Sequence, residues 1–204
     1  MLEEVCVLAM SNTRSGICIA GVNSNGKWVR PIKRGGRFWN KSDLTFNNQL
    51  LKLGNTISFE GDYYNDGSSN IHTEDFVTDG IILINTEDII FQGDYDSITI
   101  PYSEVSLLCE ETLYKSLALI QLEEILVFKN DYGKIRCSLI KSELANTRTY
   151  SGDYAFNDYE YKPTVSSVLT TKRTRYVSIG LAKPFKRNPD DEEICYPQIV
   201  GVIE

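Results

Sequence analysis

The sequence predicts a mainly β protein: two small β barrels in tandem, joined by a short helical connector. Three observations predict this class. Most apolar runs are short, β-branched and bounded by Gly, Asn, Asp or Ser, as strands are. Only residues 103–115 place their apolar residues at helical spacing. The chain has 204 residues, of which 42% are apolar, and this is enough for a core in each half.

The first half, residues 1–113, is expected to hold the first barrel. It begins with the strand-like runs VCVLAM and GICIAGV, and the turn SNG precedes KWVRPI. If residues 27–32 are extended, Trp28, Arg30 and Ile32 share one face. The runs NTISFEG, GIILIN and DSITIP continue the strand pattern.

The second half, residues 114–204, is expected to hold the second barrel, with a strand from about Ser116 onwards. The run ILVFKNDYGKIRCSLI predicts a hairpin with its turn at residues 130–133. In RYVSIGLA, apolar Val177, Ile179 and Leu181 alternate with other residues, which predicts a half-buried strand.

Composition argues against a membrane or secreted protein. No run of about 18 apolar residues is present, so we expect no membrane span. The start, MLEEVCVLAM, is acidic, and its apolar run is too short for a signal peptide. The five cysteines are scattered without a C-x-x-C pair, which predicts buried thiols in a reducing cytosol. We therefore expect a cytoplasmic protein.

The formal net charge of −7 conceals a block pattern. Residues 5–42 carry seven Lys/Arg and no acid, and residues 161–189 repeat this composition. Residues 53–128 carry fifteen acids and one lysine. A charged partner responds to local potential rather than to net charge. Alternatively, the blocks are solvated faces whose opposite charges meet across the fold.

Signatures of catalysis are poor. His72 is the only histidine, and neither a G-x-S-x-G stretch nor a phosphate-binding P-loop is present. The tetrapeptide HTED brings His72, Glu74 and Asp75 together, but one such tetrapeptide is weak evidence for a divalent ion. We expect a protein that is not an enzyme and has no metal or cofactor.

The stretch GKWVRPIKRGGRFW, residues 26–39, is the best functional signal. Single-stranded nucleic acid is held by cations along the phosphates and by aromatic rings under the bases, and the stretch supplies both. The alternative is that both tryptophans are core residues. The predicted nucleic-acid site comprises Arg14, Lys27, Trp28, Arg30, Lys33, Arg34, Arg37 and Trp39, extended by Lys172, Arg173 and Arg175.

Several segments resemble the dual OB-containing domain family of prokaryotic proteins. They are LAMSNTRSGICIAGVNSNGKWVRPI, LLKLGNTISF with IHTEDF, and RYVSIGLAKPF with CYPQIVGVI, so the resemblance spans residues 5–203. The family pattern has Gln and Asn where Thr73 and Asp75 stand. The resemblance implies two OB-like barrels. Members of the family are suspected of belonging to bacterial conflict or antiphage systems.

Two functions are then compatible with the sequence. The first is a non-enzymatic binding module for single-stranded nucleic acid or another phosphate-bearing ligand. The second is a protein-interaction subunit that docks to a larger effector in a defence complex, with the basic clusters contacting that partner. OB barrels serve many purposes, so the fold alone does not choose between them.

Overall fold

A computed structural model describes residues 1–64, 72–85, 98–99, 116–122, 124–140, 162–165, 172–173, 176–181, 189–190 and 197–203. Regular structure in these residues is almost entirely strand, which confirms the mainly β class. No helix among them is long and apolar enough to cross a membrane. The predicted helix at 103–115 and the boundary between 113 and 114 lie outside the described residues and stay predictions.

The first half forms a closed five-stranded barrel. Its strands are β1 (Leu2–Thr13), β2 (Gly16–Asn23), β3 (Trp28–Lys33), β6 (Thr56–Tyr63) and β7 (Asp75–Thr78). Their order is β1-β2-β3-β7-β6, and β6 pairs back with β1 to close the barrel. Strands β3 and β7 run parallel. A small five-stranded barrel is the architecture of the OB fold.

In the described part of the first half, three shorter strands and one turn of helix lie outside this barrel. A 3-10 helix (Lys41–Leu44) follows β3 and leads into the small hairpin of β4 (Thr45–Phe46) and β5 (Gln49–Leu50). Strand β8 (Ile82–Asn85) pairs with β6 outside the ring. Alternate residues of the barrel strands point inward, and the large buried members of this core include Met10, Ile19, Trp39, Leu44, Ile57, Phe59 and Phe76.

The described residues of the second half form two sheets around a core of their own. Its strands are β9 (Leu117–Gln121), β10 (Glu124–Lys129), β11 (Ile135–Ile140), β12 (Lys162–Pro163), β13 (Lys172–Arg173), β14 (Tyr176–Leu181) and β15 (Pro197–Ile203). The sheet orders are β12-β15-β14-β9 and β11-β10-β13. Residues from both sheets, including Ile120, Ile125, Leu139 and Ile179, share one apolar cluster.

The predicted hairpin and the predicted strand after Ser116 are confirmed as β10–β11 and β9. The hairpin turns at Asn130, whose backbone oxygen accepts a hydrogen bond of 2.7 Å from the Gly133 amide. Strand β14 is different from the prediction, because all six of its residues are buried. Its apolar residues face the second core, and its other face packs against the first barrel.

The contact between the two halves, which we call the seam, joins β1 to β14 and β15. A register shift between Val7 and Ala9 interrupts the pairing of β1 with β2. The Leu8 carbonyl at this point accepts a hydrogen bond of 2.7 Å from the Ser178 hydroxyl. Gly201 approaches the same carbonyl so closely that an added Cβ would lie 2.2 Å from its oxygen.

Apolar residues from both halves fill the rest of the seam. Ala9 and Ala20 of the first barrel pack with Leu117 and Val200 of the second half, and the half-buried Trp28 packs against them. Each half therefore keeps a core of its own, and a smaller cluster joins them. The outer face of β1–β3, which includes the face that binds ligands in many OB barrels, is largely covered by the second half.

Candidate functional site

The basic stretch ends in a glycine turn that projects from one end of the barrel. The backbones of Lys33 and Arg37 bond to each other, with Lys33 N to Arg37 O at 2.9 Å. Gly35 and Gly36 have φ angles of +75° and +70°, a conformation that disfavours other residues. An added Cβ at either would meet nothing within 4 Å, so the turn stands in open space.

Two cations of this turn have acidic partners. Lys33 Nζ lies 2.5 Å from Asp43 Oδ2. Arg34 donates two hydrogen bonds to Asp79, at 2.6 and 3.0 Å, and both side chains are largely exposed. These bonds lower the pKa of both aspartates below the usual range. Opposite charges therefore do meet across the fold here, as the alternative reading of the charge blocks proposed.

Trp39, placed in the predicted site, is a core residue. It is 2% exposed, and its Nε1 donates a hydrogen bond of 2.7 Å to the Pro31 carbonyl. The backbones of Trp39 and Ile17 also pair, which ties the turn to the start of β2. This conformation leaves no indole face for a base, so the alternative of a core tryptophan holds for Trp39.

Arg30 also departs from the expected surface position. It lies on the outer face of β3 but is only 9% exposed, and its Nε donates to the Asp75 carboxylate. Trp28 and Arg30 share a face of β3, but in the described part of the chain the guanidinium pairs with Asp75. Trp28 instead packs into the seam.

Arg14, Arg34 and Arg37 are exposed on two adjacent turns, and we call them the barrel-end cations. Arg14 occupies the turn between β1 and β2, and the backbone pairing of Ile17 with Trp39 brings that turn beside the glycine turn. Among the described residues neither Arg14 nor Arg37 forms a salt bridge. Half-buried Phe38 lies beside the start of β2, where a Cβ added to Gly16 would be 3.3 Å from the Phe38 Cβ.

Lys27 is distant from this cluster because it precedes β3, whereas Lys33 ends it. Six residues of strand span roughly 20 Å. Lys27 Nζ lies 3.6 Å above the Tyr63 ring, and the Tyr63 hydroxyl donates to Glu3 at 3.0 Å. In the second half, Lys172 and Arg173 form β13, whereas Arg175 lies outside the described residues, so the extended track stays a prediction.

A buried polar cluster at the seam was missed by sequence reasoning. Arg30 and Asp75 pair across the parallel strands β3 and β7, and Ser11 and Cys18 pair across β1 and β2. The Ser116 hydroxyl, from the second half, donates to Glu74. Strand alternation could have placed Cys18 and Arg30 on one face, but nothing in the sequence brings residues 74 and 116 together.

Burial sets the protonation of this cluster. It raises the pKa of the Cys18 thiol to about 11, although the nearby Arg30 acts in the opposite direction. It also raises the pKa of Glu74, against the opposing effects of Arg30 and the Ser116 hydrogen bond. A thiol with such a pKa stays protonated near neutral pH and is a poor nucleophile.

One comparison with known proteins gives a match. The family model described as the dual OB-containing domain matches residues 3–202, nearly the whole chain. No curated protein and no solved structure is significantly similar to the chain. The match agrees with the two OB-like barrels predicted from the sequence and with the closed barrel of the first half.

Proposed function

The chain belongs to the dual OB-containing domain family, and from this premise we propose that it is a non-enzymatic binding module for single-stranded nucleic acid or another phosphate-bearing ligand. OB domains generally bind nucleic acids or proteins. The observation that carries the proposal is the cluster of barrel-end cations around an open glycine turn. We place the module in the bacterial cytoplasm, within an antiphage system.

The barrel end offers what a phosphate backbone requires. Arg14 and Arg37 are exposed, and no acid of the described residues is bonded to them. Arg34 would exchange its exposed bond to Asp79 for a phosphate at little cost, because exposed ion pairs contribute only about 0–1 kcal/mol. Phe38 replaces Trp39 as the residue that stacks under a base.

The non-enzymatic part of the proposal rests on the chemistry of the seam. Cys18 is held as a thiol by a pKa of about 11. His72 is 7% exposed, so its imidazole is poorly placed to meet a substrate. Asp75 is engaged by Arg30, and Glu74 by Ser116. The carboxylates of the HTED tetrapeptide thus support the fold.

Direct binding tests the proposal. A fluorescent oligothymidine should bind the full chain at low salt, and unlabelled single strands should compete better than duplex. Phe38→Ala should weaken binding about 5- to 150-fold if one base stacks there, given about 1–3 kcal/mol for each stacked base. Tyr132→Ala, at the exposed tip of the β10–β11 hairpin, is the matched control. No binding at low salt would refute the proposal.

The second candidate, a protein-interaction subunit, has an observation of its own. Ile82 and Ile84 of β8 are 67% and 51% exposed, while the residues between and before them pack on the barrel core. Such outward apolar side chains are typical of a protein contact. Co-purification of a larger effector that is lost in an Ile82→Ser/Ile84→Ser variant, without nucleic-acid binding, would favour this candidate.

A further inference from the structure

One outer surface of the first half combines exposed apolar side chains with acids. Strand β6 pairs with β1 along one edge and with β8 along the other. Val5, Ile57 and Phe59 of these strands point into the barrel core. Their strand neighbours Glu4 and Glu60 therefore point outward, because successive residues of a strand face opposite sides of the sheet.

Apolar residues flank the acids on this surface. Leu2 is 65% exposed and lies opposite Glu60 in the register of β1 and β6. Glu4 and Ile82 lie on either side of Ser58, one on each neighbouring strand. Together with the outward Ile84, these side chains form what we call the acidic–apolar face, which comprises Leu2, Glu4, Glu60, Ile82 and Ile84.

The two acids of this face have no cation beside them. Glu4 and Glu60 are exposed, and within the described ranges neither side chain is bonded to another residue. In contrast, Asp43 and Asp79 pair with cations of the basic stretch. Among the described residues, the fold therefore leaves the two negative charges of the acidic–apolar face uncompensated.

This combination of side chains decides which kind of partner fits. Exposed apolar side chains favour a contact that removes them from water. Uncompensated carboxylates repel nucleic acid and an anionic membrane. In a two-fold dimer through this face, the acids of one copy would meet those of the other. A protein segment that carries cations beside apolar residues avoids all three conflicts.

We propose that the acidic–apolar face binds a segment of a partner protein in which Lys or Arg residues flank apolar ones. The apolar residues of that segment cover Leu2 and Ile82. Its cations pair with Glu4 and Glu60. Because Leu2 begins β1 and Arg14 follows its end, the face is separate from the barrel-end cations. The inference goes beyond nucleic-acid binding and gives the second candidate function a partner of defined chemistry.

A peptide selection identifies the chemistry that the face prefers. Random dodecapeptides displayed on phage are selected on the full chain, after removal of phage that bind an Ile82→Ser/Ile84→Ser variant. The enriched sequences should combine a net positive charge with apolar residues. Enriched sequences that are neutral or acidic would overturn the inference. Failure to find any peptide that distinguishes the chain from the variant would overturn it as well.

Charge reversal tests whether the acids contact the peptide. Glu60→Lys should weaken the tightest selected peptide about 2- to 30-fold, because an exposed ion pair becomes a repulsion. When the cations of that peptide are replaced one at a time by Glu, one of the products should bind the Glu60→Lys protein more tightly than the original peptide does. Asp131→Lys, which makes the same change of charge in the exposed β10–β11 turn, is the control. An equal loss in both variants would show a response to net charge alone and would contradict the inference.

A variant of Leu2, which the selection does not use, tests whether the two edges of the face form one site. Leu2→Ser should weaken the peptide about 5-fold or more, as the loss of an interface anchor does. Ile135→Ser, which alters an exposed isoleucine of β11, should not. If the chain alone forms a concentration-dependent dimer that Leu2→Ser abolishes, a second copy covers the face and the inference is wrong. Oligothymidine binding should be the same in all these variants, so failure here leaves the proposed function intact.

Discussion

At the scale of single residues, the basic stretch does structural work as well as presenting charge. Trp39 fills the barrel core and bonds to Pro31, and Arg30 bonds to Asp75 in the seam. Among the described residues, the exposed Arg34 and Arg37 of the stretch and Arg14 of the neighbouring turn are available to a ligand. Arginines a few positions apart therefore have different roles, and the burial of each side chain decides whether its role is structural or is contact with a ligand.

The Trp39 hydrogen bond should contribute measurably to stability. Trp39→Phe keeps most of the apolar volume but leaves the buried Pro31 carbonyl without its donor at 2.7 Å. We expect a loss of about 1–3 kcal/mol in the free energy of unfolding, the cost of one unsatisfied buried group. Urea denaturation gives the value, with Trp28→Phe as the control. Equal losses in the two variants would show that the bond contributes nothing specific.

Glu74 should make stability depend on pH. Its pKa is higher in the folded protein than the ordinary 4.5, so the folded state holds the proton more tightly than the unfolded chain. The resulting stabilisation is complete below pH 4.5 and is lost as pH rises through the folded pKa. The melting temperature of Glu74→Gln should therefore rise relative to the unmodified protein between pH 5 and 8. If the melting temperatures of the two proteins changed with pH in parallel, a raised pKa of Glu74 would be contradicted.

At the scale of elements, sequence patterns predict most strands because period-2 alternation and turn residues are local signals. The β10–β11 hairpin is an example. Sequence patterns do not predict the full burial of β14, because its second face is covered by β1, about 170 positions away. The polar cluster at the seam could not be predicted for the same reason. Strand alternation shows the face on which Arg30 lies, but not that Asp75 and the second half cover that face.

Gly201 should be required for the seam. A Cβ there would lie 2.2 Å from the Leu8 oxygen, which is backbone and cannot turn aside. Gly201→Ala should therefore lower stability by about 1–3 kcal/mol, the usual cost of overpacking. Gly80→Ala, where a Cβ meets nothing within 4 Å, is the matched control in thermal unfolding. A Gly201→Ala variant as stable as Gly80→Ala would disprove the close approach.

At the scale of the whole molecule, the formal net charge of −7 is distributed unevenly. The position of each cation therefore decides whether it can bind an anionic ligand. Lys33 and Arg34 are partly neutralised by aspartates, whereas Arg14 and Arg37 project from the barrel end. A ligand would meet that local potential despite the negative total. The second half covers much of the outer face of β1–β3, whereas the barrel-end cations stay exposed.

The salt dependence of oligonucleotide binding tests this account most directly. Each phosphate neutralised on a single strand contributes a slope of about −0.7 to the plot of log affinity against log salt. Three contacts from Arg14, Arg34 and Arg37 predict a slope of about −2, and Arg14→Gln/Arg37→Gln should reduce it to about −0.7. The control, Lys52→Gln on the β5–β6 connection, should leave the slope unchanged. A slope unaffected by the double substitution would contradict the claim that the barrel-end cations hold the ligand.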